Sequence, residues 1–111
     1  MNMMSVPMFK SQLIQKNYRE IYNHELAHKN AGGSLAGPIV IEKNSEGIPV
    51  GGHVSIKMPV LNQENPEETI AQAETVFRAA MAPSDPSAQD YRVAAQAKRI
   101  EAEAKKLDYY A

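Results

Sequence analysis

Hydrophobic positions recur at helical spacing in three segments of the chain, and the first of them is the longest. It runs from about Phe9 or Ser11 to Ala31 and contains no proline. This periodicity predicts an amphipathic helix. The pair Gly32-Gly33 predicts where it ends, because glycine adopts the left-handed conformation of a helix C-terminus without strain. The predicted inward stripe consists of Ile14, Tyr18, Ile21, Glu25 and His28, with His24 beside it.

The hydrophobic pattern changes to that of β-structure in the next segment. Two runs rich in β-branched residues, Pro38–Lys43 and Ile48–Met58, flank the turn-forming residues Asn44–Gly47. This arrangement predicts a two-stranded hairpin. The pair Gly51-Gly52 permits a bulge or a close approach of the backbone to the first helix. Beyond it, strand alternation places Val54, Ile56 and Met58 on one face and His53, Ser55 and Lys57 on the other.

Two further helices follow the hairpin. Asn65 is a good N-cap, Pro66 suits the first helical turn, and Pro83 ends the second helix before the short connector 84–87. The predicted apolar stripes are Ile70, Ala73, Phe77, Ala80 and Met81 in the second helix and Val93, Ala97, Ile100, Ala104 and Leu107 in the third. Helices joined by a short connector pack as an antiparallel hairpin. The predicted fold is therefore α+β: a helix, a β-hairpin and a two-helix antiparallel hairpin.

Composition narrows the class of protein. The chain has 111 residues, enough for a single domain, which we place at 9–108 between a flexible N-terminus (1–8) and a C-terminal tail (109–111). A net charge of −1 gives no indication of a nucleic-acid partner. The absence of cysteine excludes disulfides and thiolate ligands. No run is apolar enough to span a bilayer and no signal peptide is evident, so we expect a cytoplasmic protein.

Two of the three histidines stand four residues apart, in His24-Glu25-Leu26-Ala27-His28. On a helix their imidazoles point the same way and converge on one metal ion. Because no thiolate is available, imidazole and carboxylate ligands predict one catalytic-type Zn²⁺ per chain. Glu25 would accept a proton from water activated by that metal. The alternative is a structural His-Glu-His cluster that binds no metal.

A third ligand is needed, and the pattern leaves several candidates. His53 is preferred, because it is the remaining histidine and follows a flexible glycine pair. It could equally be a solvent-facing residue of a half-exposed strand. The competing carboxylates are Glu67, Glu68 and Glu74. The residues that could stabilise negative charge in a transition state are Tyr22, Tyr91, Arg78 and Arg92, and the sequence does not choose among them.

Four runs, in the same order along the chain, resemble the bacterial SprA-related metalloprotease family. They are His24–Gly33, Val50–Ile56, Asn65–Ile70 and Ala79–Asp90. The resemblance implies a minimal zincin-like, metal-binding domain over 9–108 with His24 and His28 as ligands and Glu25 as catalytic base. It implies no particular substrate. Relatives often carry glutamate where this chain has His53, an exchange that fits either a ligand position or a tolerant surface position.

These observations predict a zinc-dependent hydrolase, most simply a peptidase, that uses metal-bound water activated by Glu25. Its partner would be a peptide or protein substrate, and a homo-oligomer stays open. One alternative is a metal-stabilised binding or scaffold module without turnover, because a domain this small offers little surface for a cleft. A second is a metal-free domain in which the histidine spacing is incidental.

Overall fold

The computed structural model describes residues 5–110, and their side chains from residue 9 onward. Three helices and one β-hairpin follow each other in the predicted order, so the small α+β fold is confirmed. The elements are α1 (Ser5–Gly32), a 3-10 turn (Gly33–Leu35), β1 (Ala36–Lys43), β2 (Pro49–Ile56), α2 (Pro66–Ala80) and α3 (Ala88–Tyr110). The described chain is elongated, measuring 72 × 20 × 20 Å. No helix within residues 5–110 is long and apolar enough to cross a membrane.

Helix α1 ends as predicted but begins earlier. Gly33 has a φ of +55°, the left-handed conformation expected just after a helix. The helix starts at Ser5, whereas the pattern predicted a start at Phe9 or Ser11. Of the predicted flexible N-terminus, residues 1–4 lie outside the described residues, as does Ala111 of the predicted tail. Tyr109 and Tyr110 belong to α3.

The inward stripe of α1 is rotated slightly from its predicted position. Glu25 and His28 are buried as predicted, but Tyr18 is 45% exposed. The hairpin covers the neighbouring stripe instead. There the Asn17 side-chain amide donates to the Pro49 carbonyl at 3.1 Å. Tyr18 is left on the outside of the helix, where its ring stacks on Tyr22.

Strands β1 and β2 form an antiparallel pair in which Val40 faces His53 and Ile41 faces Gly52. Gly52 makes the predicted close approach to α1. A methyl group in place of its hydrogen would lie 2.7 Å from Cγ2 of Ile21 and 3.2 Å from Cγ of Glu25. The glycine therefore lets the hairpin pack directly on the part of α1 that contains the histidines.

Helices α2 and α3 pack through small side chains. The buried residues are Pro66, Thr69, Ala73, Val76, Ala79 and Ala80 in α2 and Ala94, Ala97, Glu101 and Ala104 in α3. The larger residues of the predicted stripes, such as Phe77 and Ile100, are only half-buried. Alanines at the contact allow the two axes to come close, and the larger residues then flank the contact. The predicted N-cap of α2 is confirmed, since the Asn65 side chain accepts from the Glu68 N–H.

Candidate metal centre

His24 and His28 lie one turn apart on α1, and their rings converge. The two Nε2 atoms are 3.3 Å from each other. His28 is buried, and the His24 side chain is 22% exposed. The four-residue spacing therefore brings together the imidazole nitrogens of the two predicted ligands.

Asp90, in the first turn of α3, completes the cluster. Its Oδ2 lies 3.3 Å from His24 Nε2, and its Oδ1 lies 3.2 Å from His28 Nε2. The carboxylate is held by a reciprocal cap in which the Ser87 N–H donates to Asp90 Oδ2 at 2.9 Å and the Asp90 N–H donates to Ser87 Oγ at 3.1 Å. One ligand atom from each of the three residues lies within 4.8 Å of the others.

Both imidazoles are oriented by a partner on the far side of the ring. Nδ1 of His28 lies 2.7 Å from the Ala79 carbonyl oxygen, which can only accept, so Nδ1 carries the proton. In the neutral ring Nε2 then has a free lone pair pointing into the cluster. Nδ1 of His24 lies 3.4 Å from Asp85 Oδ1, a longer contact of the same kind. Carbonyl or carboxylate partners of this sort commonly fix the tautomer of metal-binding histidines.

The donor set and its spacing fit a divalent cation. Zinc ligands at about 2.0–2.1 Å in tetrahedral geometry lie about 3.3–3.4 Å from one another. The two Nε2 atoms are 3.3 Å apart, and each lies 3.2–3.3 Å from a different oxygen of Asp90; one ligand atom from each residue lies within 4.8 Å of the others. Two neutral imidazoles and one carboxylate are ligands that zinc accepts. A protonated imidazole would satisfy the same contacts by hydrogen bonds.

A cleft of about 550 Å³ opens beside this cluster. Its walls come from α1, β2 and the first turns of α3. The lining residues are His24, Glu25, His28, Gly52, His53, Val54, Ser55, Ile56, Met58, Ala80, Ser87, Gln89, Asp90, Val93 and Gln96. Glu25, only 7% exposed, therefore borders the same space as the three clustered side chains. The limited surface expected for so small a domain still accommodates a cleft.

His53 borders the cleft but is not part of the cluster. Its Nδ1 lies 3.1 Å from Glu42 Oε1 on β1, and its side chain is 54% exposed. Strand alternation explains this placement, because Gly52 points toward α1 and the next residue must point away. The carboxylate that joins the two histidines on α1 is Asp90.

The other sequence candidates also lie outside the cluster. Glu67 and Glu68 are exposed in the first turn of α2, and Glu74 is half-buried later in that helix. Among the charge-stabilising candidates, Arg78 donates to Thr75, Arg92 donates to Gln89, Tyr22 stacks on Tyr18 and Tyr91 is exposed. None of these four lines the cleft. The neutral polar side chains that do line it are Ser55, Ser87, Gln89 and Gln96, together with His53.

The fold and the cluster define a small α+β protein with a candidate metal centre between its first and last helices. The model of the SprA-related family matches residues 8–108, so the chain belongs to the SprA-related family. No curated protein and no solved structure matches the chain. The resemblance drawn from the four sequence runs is thus confirmed at the level of the family.

Proposed function

We propose that this chain is a metal-dependent hydrolase, most simply a peptidase. One divalent cation, expected to be zinc, would be held by His24, His28 and Asp90. The observation that supports the proposal is the convergence of two oriented imidazoles and one capped carboxylate beside a cleft. Asp90 is therefore the proposed third ligand, instead of His53 or a glutamate of α2, which were the candidates from the sequence.

The cation and Glu25 have separate tasks in this proposal. A bound cation supplies Lewis-acid polarisation of a carbonyl and acidifies water. Glu25 is the residue that moves the proton: its carboxylate accepts it from water as the water oxygen attacks the carbonyl carbon. As the carbon–nitrogen bond breaks, Glu25 delivers that proton to the leaving nitrogen. The buried Glu25 lines the same cleft as His24, His28 and Asp90, where the substrate carbonyl and the attacking water would lie in this proposal.

The cluster also favours a second candidate function, a metal-stabilised module without turnover. The same three residues join α1 to α3, and His28 additionally contacts the carbonyl of Ala79 in α2. A cation at this position would fasten three helices together. Metal binding alone therefore does not separate an enzyme from a scaffold.

Substitution of Glu25 by Gln separates the two functions. The protein is reconstituted with zinc, its metal content is measured, and hydrolysis of a fluorescently labelled, unfolded protein is followed. We expect Glu25→Gln to keep the metal and to lose about 10²- to 10⁴-fold in rate, the usual contribution of a general base. Glu20→Gln is the matched control, because Glu20 lies on the same helix but is solvent-exposed, in an ion pair with Lys16.

Each possible outcome of this experiment favours or contradicts one of the proposed functions. A zinc-loaded wild-type protein that cleaves nothing, with Glu25→Gln equally stable and equally loaded, favours the scaffold. Wild-type protein that holds no metal after reconstitution contradicts both metal-dependent functions. Equal rates for wild type and Glu25→Gln would remove Glu25 from the chemistry.

A further inference from the structure

The outer edge of β2 forms one wall of the cleft. β1 occupies one edge of β2, and within residues 5–110 no strand pairs with the other edge. The consecutive residues Gly52 to Ile56 all line the cleft. Successive side chains of a strand point to opposite faces, so a consecutive run borders one cavity only where the edge of the strand faces it. The edge of β2 that β1 leaves unpaired therefore faces the cleft, and such an edge presents backbone N–H and C=O groups that another strand can pair with.

The opposite wall is a face of α3. Gln89, Val93 and Gln96 line the cleft at steps of four and three residues, which is one side of a helix. An apolar side chain thus lies between two amides: Gln96 can donate and accept hydrogen bonds, and Gln89, whose oxygen accepts from Arg92, can donate through its NH₂ group. A polypeptide bound between this face and β2 could form backbone hydrogen bonds with the edge of β2. Its side chains would contact the polar and apolar residues of α3.

The charges of the cleft favour a substrate recognised through neutral groups. No lysine or arginine occurs among the residues that line it. The acidic groups there are Glu25 and Asp90, and the second belongs to the cluster. A phosphate-bearing or otherwise anionic substrate would find no cation from the protein. Peptide groups are neutral and are satisfied by strand edges and side-chain amides.

We propose that the cleft binds an extended polypeptide segment as an additional strand on the free edge of β2. This inference rests on the proposed function and specifies its substrate: an unfolded or loop segment recognised mainly through its backbone. Five strand residues span about 17 Å, so the edge accommodates about five residues of substrate. Strand addition of this kind obtains affinity from main-chain hydrogen bonds and selectivity from alternate side chains.

The test uses zinc-loaded wild-type protein and three probes: acetohydroxamate, an alanine-rich tetrapeptide hydroxamate, and copies of that peptide methylated at one backbone nitrogen at a time. Acetohydroxamate reports on the cation alone. We expect the tetrapeptide to bind more tightly than acetohydroxamate. Methylation at alternate nitrogens should weaken binding about 2- to 12-fold each, the equivalent of one net hydrogen bond. Methylation at the nitrogens between them should have little effect.

Amide hydrogen exchange provides a second, independent readout. Binding of the tetrapeptide hydroxamate should slow exchange at alternate residues of Gly52–Ile56 and leave the outer edge of β1 unchanged. If acetohydroxamate binds but the peptide adds no affinity, or if methylation has no effect and β2 gains no protection, the strand-addition inference is overturned while the metal site stands. If no hydroxamate binds, the proposed function fails and the inference fails with it.

Discussion

Helix α3 contacts the rest of the molecule in two different ways. Along its middle, Ala94, Ala97 and Ala104 are buried against α2. At its first turn, Asp90 meets His24 and His28 of α1 through polar atoms 3.2–3.3 Å apart. The apolar contact is satisfied within the chain, by close packing and, for the buried Glu101, by two lysines of α3. The polar contact brings together atoms that all carry lone pairs, so it requires a proton or a cation.

Glu101 sharpens this contrast, because it is a charged residue buried within the apolar contact. Its Oε1 lies 3.4 Å from Lys98 Nζ and 3.6 Å from Lys105 Nζ. The chain itself thus supplies the cations that this carboxylate needs. No lysine or arginine lines the cleft beside Asp90. The α2–α3 contact needs no group from outside the chain, so it explains the fold. The α1–α3 contact needs a proton or a cation, so it indicates a function.

The largest expected effect is that of removing the cation. Zinc at a thousand times its dissociation constant stabilises the protein by about 4 kcal/mol, a contribution that is lost when a chelator withdraws it. Urea unfolding followed by circular dichroism, with zinc and with EDTA, measures the difference. Identical curves would mean that the polar contact is satisfied by protons, and the contrast between the two contacts would disappear.

A substitution in the apolar contact should lower the stability of the protein without changing its zinc affinity. Ala97 is fully buried, so Ala97→Leu is expected to cost about 1–3 kcal/mol through overpacking. Ala95→Leu is the control, because Ala95 is exposed on the same helix. Zinc affinity should stay at the wild-type value in both variants. A marked loss of zinc affinity in Ala97→Leu alone would show that the two contacts are coupled.

The contact between the hairpin and α1 gives an effect of similar or smaller size. A methyl group at Gly52 would lie 2.7 Å from Ile21 Cγ2 and 2.9 Å from the Val40 carbonyl oxygen. The carbonyl oxygen belongs to the backbone of β1 and cannot move without distorting the strand. Gly52→Ala should therefore cost about 1–3 kcal/mol. Gly51→Ala meets no atom within 4 Å and should be close to neutral. Equal urea midpoints for the two variants would contradict the packing of β2 on Glu25.

The smallest expected effect is on the orientation of His24. Asp85→Asn removes the charge that faces Nδ1 at 3.4 Å, and partners of this kind contribute about 10- to 100-fold to metal affinity. Because Asp85 is largely exposed, we expect a loss near the lower limit, about tenfold. Competition with a chromophoric chelator measures it, with the exposed Asp108→Asn as control. An unchanged zinc affinity would mean that Asp85 does not help to orient the His24 ring.

Local patterns were sufficient to predict the elements and their order. Gly32-Gly33 ends α1 and Asn65 caps α2, because each of these features depends on a few neighbouring residues. The phases of the apolar stripes were less accurate. The alanines of the predicted stripes are buried as predicted, whereas Phe77 and Ile100 are only half-buried, because close packing of two helices favours small side chains at the contact.

The ligand set could be predicted only in part. The spacing of His24 and His28 is a helical property and needs no tertiary information. Asp90 joins them only because the α2–α3 connector returns the chain to α1, and no local pattern reports such an approach. A weak signal was present, since Ser87 and Asp90 have the spacing of a capping box that fixes the carboxylate. For His53, the strand alternation already indicated the face directed away from α1.

The most direct test of the central claim is the zinc affinity of Asp90→Ala compared with that of His53→Ala. We expect Asp90→Ala to lose more than about 100-fold in zinc affinity, since even residues behind a metal ligand contribute about 10- to 100-fold. Ser87→Ala serves as the control for loss of the helix cap, because it removes the hydroxyl that accepts from Asp90 N–H and leaves the carboxylate. His53→Ala should bind zinc like wild type. The reverse result, with affinity lost in His53→Ala and kept in Asp90→Ala, would contradict the assignment of the site.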